Sequence, residues 1–487
     1  MGYPVIKQTD FWQAKSANVI FYSSINQLKT FMKGHPLASL VDYIAKKKQL
    51  AQKSEPIQKL FVPNKKTISV LYCIYCTSDL NSYRNTVANL ARLARNDQQY
   101  SLAIKVLSAQ KDQDLNRYLQ EICEGFYLGD YQYQGYQSAV NSSLNKSFSL
   151  TFYQEKNTKI LESIKKGCII SQAQNIARDL ANTPANYLTP KEFVSIAKKQ
   201  CRNSAIAIKV YDKKAAEKKK MGSFLAVAQG SVQEPYMLEL TLNASKKPPI
   251  ILVGKGVTFD TGGISLKPSG SMSCMKGDMG GAAAVYAAMV ALAQLKTKQH
   301  VKAIIPLVEN MPSAMAYKPG DVITAMNNKT IEVINTDAEG RLILADALCL
   351  ATTYKPKLII DIATLTGASS VALGDVATAI LGNSKQVIKR MLDQQDNVGE
   401  RLWQLPIYED YFEYLKSDVA DMKNCAENRL AGTATAAMFL KQFVADYDWV
   451  HLDIASTMQN KATKGIHVKG MNGSGTRTLI EAVLTSV

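Results

Sequence analysis

Along the 487 residues, short apolar runs alternate with stretches whose apolar positions recur every three or four residues. In the first third, Val19-Ile20-Phe21-Tyr22 and the Ile68 to Tyr75 segment have the aromatic and β-branched content of strands, whereas Val87 to Arg95 has helical spacing. This alternation predicts a small α/β domain. From about Lys156 to Asn182, Ile, Leu and Ala recur with few breakers, which reads as one long helix ended by Pro184. That helix is expected to join two domains, 1–166, which includes its start, and 167–487.

Beyond the linker, Pro249-Ile250-Ile251-Leu252-Val253, Ala303-Ile304-Ile305, Thr330 to Ile334, Leu358-Ile359-Ile360 and Trp449-Val450-His451-Leu452 are brief apolar runs of the buried-strand type. Helical patterns separate most of them. The expected architecture is a larger α/β domain with a mixed, mostly parallel sheet between helices. Such sheets bind ligands beyond the carboxyl ends of their strands, so polar residues just after these runs are the candidates for chemistry. The Ala282 to Ala293 stretch is too short to cross a bilayer and reads as a closely packed internal helix. Lys213 to Lys220 reads as a short charged helix or loop, and no tandem repeat appears.

Composition excludes several classes. Apolar residues at 46% and charged residues at 20% describe a folded globular chain, and the length suits two or three domains. The net charge is +17, with 22 of the 58 basic and 12 of the 41 acidic residues inside 1–166. A basic N-terminal third would attract nucleic acid or an anionic membrane, but no nucleic-acid motif accompanies it and Lys46-Lys47-Lys48 reads as a solvated face. Lys7, Asp10 and Lys15 interrupt any secretory apolar region and Ile6 breaks a myristoylation pattern, so a cytoplasmic address is expected. Among eight cysteines only Cys73 and Cys76 form a CxxC pair, on a predicted strand, so all eight read as thiols in or near cores. His35, His300, His451 and His467 are too dispersed for HExxH, and neither GxSxG nor GxxxxGK[ST] occurs. Hydrolytic chemistry would therefore rest on carboxylates and lysines.

Three clusters carry such groups. Gly254 to Pro268 contains Lys255, Asp260 and Lys267 in a glycine-rich backbone, but its Gly254-x-Gly256 lacks the third glycine of a dinucleotide fingerprint. Asp278, in Met275-Lys276-Gly277-Asp278-Met279-Gly280-Gly281, precedes the alanine helix, where its plain role is to favour a helix N-terminus. Asn335-Thr336-Asp337-Ala338-Glu339-Gly340-Arg341-Leu342 precedes an amphipathic helix running to about Tyr354. There Thr336 and Glu339 match a capping box, while an extended backbone would instead aim Asp337 and Glu339 to one side. If the three loops meet, Asp260, Asp278, Asp337 and Glu339 put four negative charges in one cleft, which is costly unless they protonate or bind cations. Two divalent ions about 3.5–4 Å apart would balance them. Lys255 could ligate only as a neutral amine; Lys267 and Arg341 would stay cationic and could stabilise an oxyanion or hold an anion.

These stretches, together with Met311-Pro312-Ser313, Pro319-Gly320-Asp321, Asn182-x-Pro184-x-Asn186-x-x-Thr189-Pro190, Asp361-x-Ala363-Thr364-Leu365-Thr366-Gly367-Ala368 and Lys469-Gly470, resemble the leucyl aminopeptidase (cytosol aminopeptidase) family. The resemblance covers about residues 165–480. It implies a two-metal aminopeptidase with zinc or manganese, or else magnesium or cobalt. One ion would be bound by Lys255, Asp260, Asp278 and Glu339, a more exchangeable one by Asp260, Asp337 and Glu339. It further implies a bicarbonate held by Arg341 as general base, Lys267 at the developing oxyanion, and the substrate α-amine near Asp278. Met275, Thr364, Leu365, Gly367, Ala455 and Met458 would lie near the substrate or line its first side-chain pocket, which their methionine and alanine make apolar and suited to Leu or Met. A homohexamer is implied as well. Ser456 stands where members usually have glycine, and Met471 to Gly475 is a loose version of the terminal loop. A DNA-binding regulator built on an aminopeptidase scaffold is the rival reading, and an inactive homologue is disfavoured because every expected ligand is present.

Overall fold

The computed structural model describes residues 4–7, 11, 16–35, 38–39, 41–42, 56–63, 68–75, 79–107, 112–138, 146–154, 157–428 and 430–485. Cys76 and the Lys46-Lys47-Lys48 run lie outside them. Two compact units emerge: Met1–Gln172 with Ala462–Val468, and Ala173–Lys461 with Lys469–Val487. The return of 462–468 to the first unit has a local cause. Asn85 Oδ1 accepts from Ile466 N at 3.0 Å, Arg92 Nη2 donates to Gly465 O at 2.7 Å, and Ile466 is buried with Ala88 and Leu128.

The first unit has strands β1 (Val5–Lys7), β2 (Ala17–Tyr22), β3 (Ile57–Pro63), β4 (Ile68–Tyr75), β5 (Ser101–Val106) and β6 (Ser149–Tyr153). They form one sheet in the order β1-β6-β5-β2-β4-β3, parallel throughout except for β3 against β4. Helices Leu80–Asn96 and Asp112–Gly129 pack in its core through residues such as Val87, Leu90, Ile122 and Phe126. The long helix expected from about Lys156 to Asn182 is observed as Thr158–Asn182.

The second unit has strands β7 (Ala207–Tyr211), β8 (Tyr236–Leu242), β9 (Ile250–Gly254), β10 (Gly256–Asp260), β11 (Val301–Asn310), β12 (Val322–Thr324), β13 (Thr330–Glu332), β14 (Leu358–Ala363), β15 (Thr378–Gly382), β16 (Leu402–Gln404), β17 (Met422–Lys423) and β18 (Trp449–Asp453). Its large sheet runs β16-β15-β18-β14-β9-β11-β8-β7, with β10 also paired to β11. The central strands β18, β14, β9 and β11 are parallel, whereas β8 opposes both β11 and β7, and β15 opposes β18. Every residue of β9, β14 and β18 is buried, as expected of strands covered on both faces. The Thr330 to Ile334 run departs from expectation, because β13 joins β12 and β17 in a separate small sheet. Of its three residues only Ile331 is buried, the pattern of a half-buried strand.

Two glycine approaches decide where the site forms. Strands β9 and β10 follow one another along the same edge of β11, Val253 opposite Ile304 and Gly256 opposite Leu307. A Cβ on Gly254 would stand 2.6 Å from Gly281 O, and one on Gly281 would stand 2.1 Å from Ile362 O. The alanine helix, observed as Gly280–Gln294, therefore starts directly against β9 and β14 and brings Asp278 to the strand ends.

On the helix Glu339–Thr352, Asp346 is fully buried and accepts from Phe224 N at 2.8 Å and Met326 N at 2.7 Å. Burial pushes its carboxyl from 3.8 up to about 7, against the pull of those backbone N–H groups. Because the folded value lies above the unfolded one, the folded chain retains a proton that the unfolded chain releases. This stabilising contribution is complete below the unfolded pKa and is lost as pH rises to about 7. Urea unfolding of Asp346→Asn should accordingly show a shallower fall in stability across that window than the wild type; an unchanged slope would refute the assignment.

Candidate metal centre

Lys255 occupies the single-residue break between β9 and β10, with its backbone N–H bonded to Ile362 O at 3.1 Å. Its buried ammonium lies 2.8 Å from Asp278 Oδ1 and 2.9 Å from Glu339 Oε1, and donates to Thr364 O at 2.9 Å. Gly340 leaves room for the lysine stem, since a Cβ there would come within 2.6 Å of Lys255 Cε. Burial opposes the charge on Lys255, but the carboxylates of Asp278, Glu339 and Asp260 outweigh it and hold the amine above the ordinary lysine value.

Asp260 ends β10 beside Asn310, the last residue of β11, whose Nδ2 donates to Asp260 Oδ1 at 2.8 Å and to Thr336 O at 3.0 Å. Gly262 N also donates to Asp260 Oδ1, at 2.9 Å. Lys267 pairs with Asp260 Oδ2 at 2.8 Å and with Asp337. Its amine too is raised, the carboxylates of Asp260, Glu339 and Asp337 overcoming partial burial. Carboxylate oxygens of Asp260, Asp337 and Glu339 all lie within 4.8 Å of one another.

The capping-box reading of Thr336 and Glu339 is overturned. The helix begins at Glu339, Ala338 occupies the cap position, and no side chain caps it. Thr336 Oγ1 instead donates to Gly262 O at 2.6 Å and accepts from Ser265 N at 2.8 Å, while its carbonyl accepts from Asn310 Nδ2 and from Tyr317 OH. The alternative of a strand through Asp337 and Glu339 is not observed either, because a turn feeds directly into the helix. Both carboxylates still reach one point, as Thr336 fastens their loop to the one carrying Asp260 and Lys267.

The charge distribution is that of a cation site. Burial pushes the Asp278 carboxyl up to about 6 and the Glu339 carboxyl up to about 8, and raises Asp337 as well. Neighbouring carboxylates, Asp260 above all, add to each rise. Asp278 Oδ2 is buried without a hydrogen-bond partner. Thr364 Oγ1 donates to Asp278 Oδ1 at 2.6 Å. These oxygen donors, one of them unpartnered, and an amine that can bind metal once deprotonated fit divalent cations.

Arg341 is buried on the same helix, donates Nη1 to Asn424 O at 2.9 Å and leaves Nε unpartnered. Burial lowers its pKa, against the nearby Cys425, Glu339 and Asp453. Of the residues expected around the substrate, Thr364 and Leu365 follow β14, and Ala455 follows β18. Asp453 Oδ1 accepts from both Leu365 N at 3.2 Å and Ala455 N at 3.1 Å, which brings these two loops together. The Met458 Cε lies 2.9 Å from where a Gly277 Cβ would stand, next to the turn that starts at Met275. Gly367 is exposed at the start of helix Gly367–Leu373. A shallow pocket lies elsewhere, lined by residues such as Val387, Arg390, Met391 and Glu481 and by none of these.

Sequence reasoning missed Asn310, Asn424 and Asp453. Asn310 had a signal, a polar residue ending the apolar run before Met311-Pro312-Ser313. Asn424 sits in a loop with no pattern, yet it accepts from Ile334 N at 2.7 Å and donates to Asn335 O at 2.7 Å.

Parallel strands that deliver carboxylates and lysines to one buried point make this an α/β protein with a candidate site for divalent cations. The family profile described as "Cytosol aminopeptidase family, catalytic domain" matches residues 175–480. Human cytosol aminopeptidase is 44% identical over 371 residues, 75% of this chain and 70% of that protein. A probable cytosol aminopeptidase of Alkaliphilus metalliredigens is 40% identical over 407 residues, 82% of this chain and 81% of that one. Among solved structures, a mutant of tomato leucine aminopeptidase superposes with a TM-score of 0.85 at 30% identity, covering 99% of this chain and 96% of its own. The bottromycin maturation enzyme BotP in complex with Mn gives 0.84 at 30% identity, covering 97% of this chain and 100% of its own. The chain belongs to the cytosol aminopeptidase family.

Thr336 supplies a direct test of the loop convergence. Thr336→Val keeps the shape but strands Gly262 O and Ser265 N, at a cost of about 1–3 kcal/mol for the unmet groups. Urea unfolding should register a loss of that size, whereas a change near zero would mean the threonine does not bind the two loops.

Proposed function

We propose that this chain is a metal-dependent aminopeptidase that removes N-terminal residues, preferentially Leu, Met and other apolar ones, from peptides. The observation that carries the reading is the meeting of Asp260, Asp337 and Glu339 within 4.8 Å beside a buried Lys255. Lys255, Asp260, Asp278 and Glu339 would hold one divalent cation, and Asp260, Asp337 and Glu339 a second. Zinc or manganese bound there supplies Lewis acidity to a peptide carbonyl and lowers the pKa of a water. Lys255 takes part only after releasing its proton, so loading the site is coupled to pH.

The remaining work falls to the chain's own groups. Lys267, part-buried and cationic, meets the negative charge that develops on the carbonyl oxygen. Asp278, with one oxygen unpartnered, would lie near the free α-amine of the substrate, which restricts action to chain ends. Arg341, whose Nε–H is unpartnered, would hold a bicarbonate, which would supply a general base there. Met275, Thr364, Leu365, Gly367, Ala455 and Met458 form the apolar receptor for the first side chain, methionine making it adaptable. Assembly as a homohexamer belongs to the same reading, as does a cytoplasmic setting; among the described residues no helix is long and apolar enough to cross a membrane.

Exhaustive chelation should abolish hydrolysis of Leu-p-nitroanilide, and zinc, manganese or cobalt should restore it. Activity that survives chelation would defeat the reading. Glu339→Gln should lower kcat by more than about 100-fold, since even residues behind the ligands typically cost 10–100-fold, with far- and near-UV circular dichroism unchanged. Near-normal turnover would remove Glu339 from the chemistry.

A further inference from the structure

Asp453 ends β18 and is completely buried, yet none of its side-chain hydrogen bonds is with the carboxylate cluster. Both of its oxygens are committed to the loops that follow two neighbouring strands. Oδ1 accepts from Leu365 N at 3.2 Å, Thr366 N at 3.4 Å and Ala455 N at 3.1 Å. Oδ2 accepts from Thr366 Oγ1 at 2.6 Å, and that hydroxyl also meets Thr433 Oγ1 at 2.9 Å. One carboxylate therefore fixes the turn after β14 and the turn after β18, and gathers backbone N–H groups that would otherwise be buried without partners.

The turn after β14 is also the one that touches the cation site. Thr364 precedes these anchored residues; its carbonyl accepts from Lys255 Nζ at 2.9 Å and its hydroxyl donates to Asp278 Oδ1 at 2.6 Å. Thr364 thus aims two of the proposed ligands, and Asp453 holds Thr364's chain neighbours in place. Register supports the link, since Asp453 lies opposite Ala363, the residue before Thr364, and Ile454 N donates to Ala363 O at 2.9 Å.

We infer that Asp453 is a positioning residue for the metal centre: through the Leu365–Thr366 backbone it sets Thr364, and through Thr364 it orients Lys255 and Asp278. This rests on the two-cation reading above. Outer groups that orient ligands typically govern affinity by roughly 10–100-fold. Asp453 differs from them in acting through a peptide turn instead of a direct bond to a ligand. Its placement also couples the pocket to the metal, because Leu365 and Ala455 are held by the same oxygen.

The test uses the purified full-length chain, stripped of metal, with Mn2+ as the probe in equilibrium dialysis. Asp453→Ala should weaken Mn2+ binding roughly 10–100-fold, and Asp453→Asn, which keeps the volume and one acceptor, should fall between it and wild type. Thr366→Val, which removes the Oδ2 partner together with that hydroxyl's bonds to Thr433 Oγ1 and Ser369 N, should still produce a smaller loss than Asp453→Ala. Thermal unfolding of each metal-stripped variant runs alongside. Variants that lose stability yet bind Mn2+ like wild type would overturn the inference, because Asp453 would then be merely structural. Should Asp453→Ala fail to fold, Asp453→Asn and Thr366→Val carry the same reading, and wild-type affinity in both would refute it. A wild-type chain that binds no Mn2+ would overturn the two-cation reading itself, a result distinct from variants that match a binding wild type.

Discussion

Negative charge concentrated where water is scarce is the constraint on which this structure depends. Asp260, Asp278 and Glu339 are almost wholly buried, Asp337 stands beside them, and each oxygen needs a countercharge or a hydrogen bond to remain ionised. The chain answers with Lys255 and Lys267 threaded among the carboxylates, with Asn310 and Gly262 donating to Asp260, and with Thr364 donating to Asp278. Even so, four carboxylates face two ammonium groups, and Asp278 Oδ2 is left over. That residual charge is what makes the centre a receptor for divalent cations.

Holding such a cluster requires the backbone to come closer than side chains ordinarily permit. Gly254 and Gly281 bring the alanine helix onto the strand ends, and Gly340 lets the Lys255 stem pass beneath the start of the next helix. Small residues on the Gly280–Gln294 helix, with all but three of its positions buried, continue that close packing away from the site. Stability is thereby given up locally to concentrate charge, and the broad apolar sheet beneath, fully buried along β9, β14 and β18, offsets the cost.

Much of this was legible in the sequence. Strong apolar runs marked the central strands because a doubly covered strand has no polar face to blur its pattern, and the glycine-rich loops after them marked the site. The Thr330 to Ile334 run misled because its half-buried alternation carries no information about which sheet it joins. The Thr336 and Glu339 spacing matched a capping box, but the hydroxyl found stronger partners seventy residues away in sequence, roughly, than in its own helix. Asn424 and Asp453 were not readable because each acts through backbone groups of a distant segment, and one-dimensional spacing does not record such pairing. The buried trio of Asp361, Trp449 and His451 is of the same kind: Asp361 accepts from Trp449 Nε1 and meets His451 Nδ1, each at 2.6 Å, across neighbouring strands. Burial works against protonating that imidazole, and the adjacent Asp361 more than reverses the effect.

If distant loops converge to share a pair of divalent cations, crystallography with anomalous scattering will locate both ions. Crystals of the full chain equilibrated with Mn2+, with data collected on both sides of the manganese absorption edge, should show two peaks. One should lie among Lys255, Asp260, Asp278 and Glu339, the other among Asp260, Asp337 and Glu339. A difference map empty at that cluster while manganese is abundant, or peaks found only at unrelated carboxylates, would contradict the account.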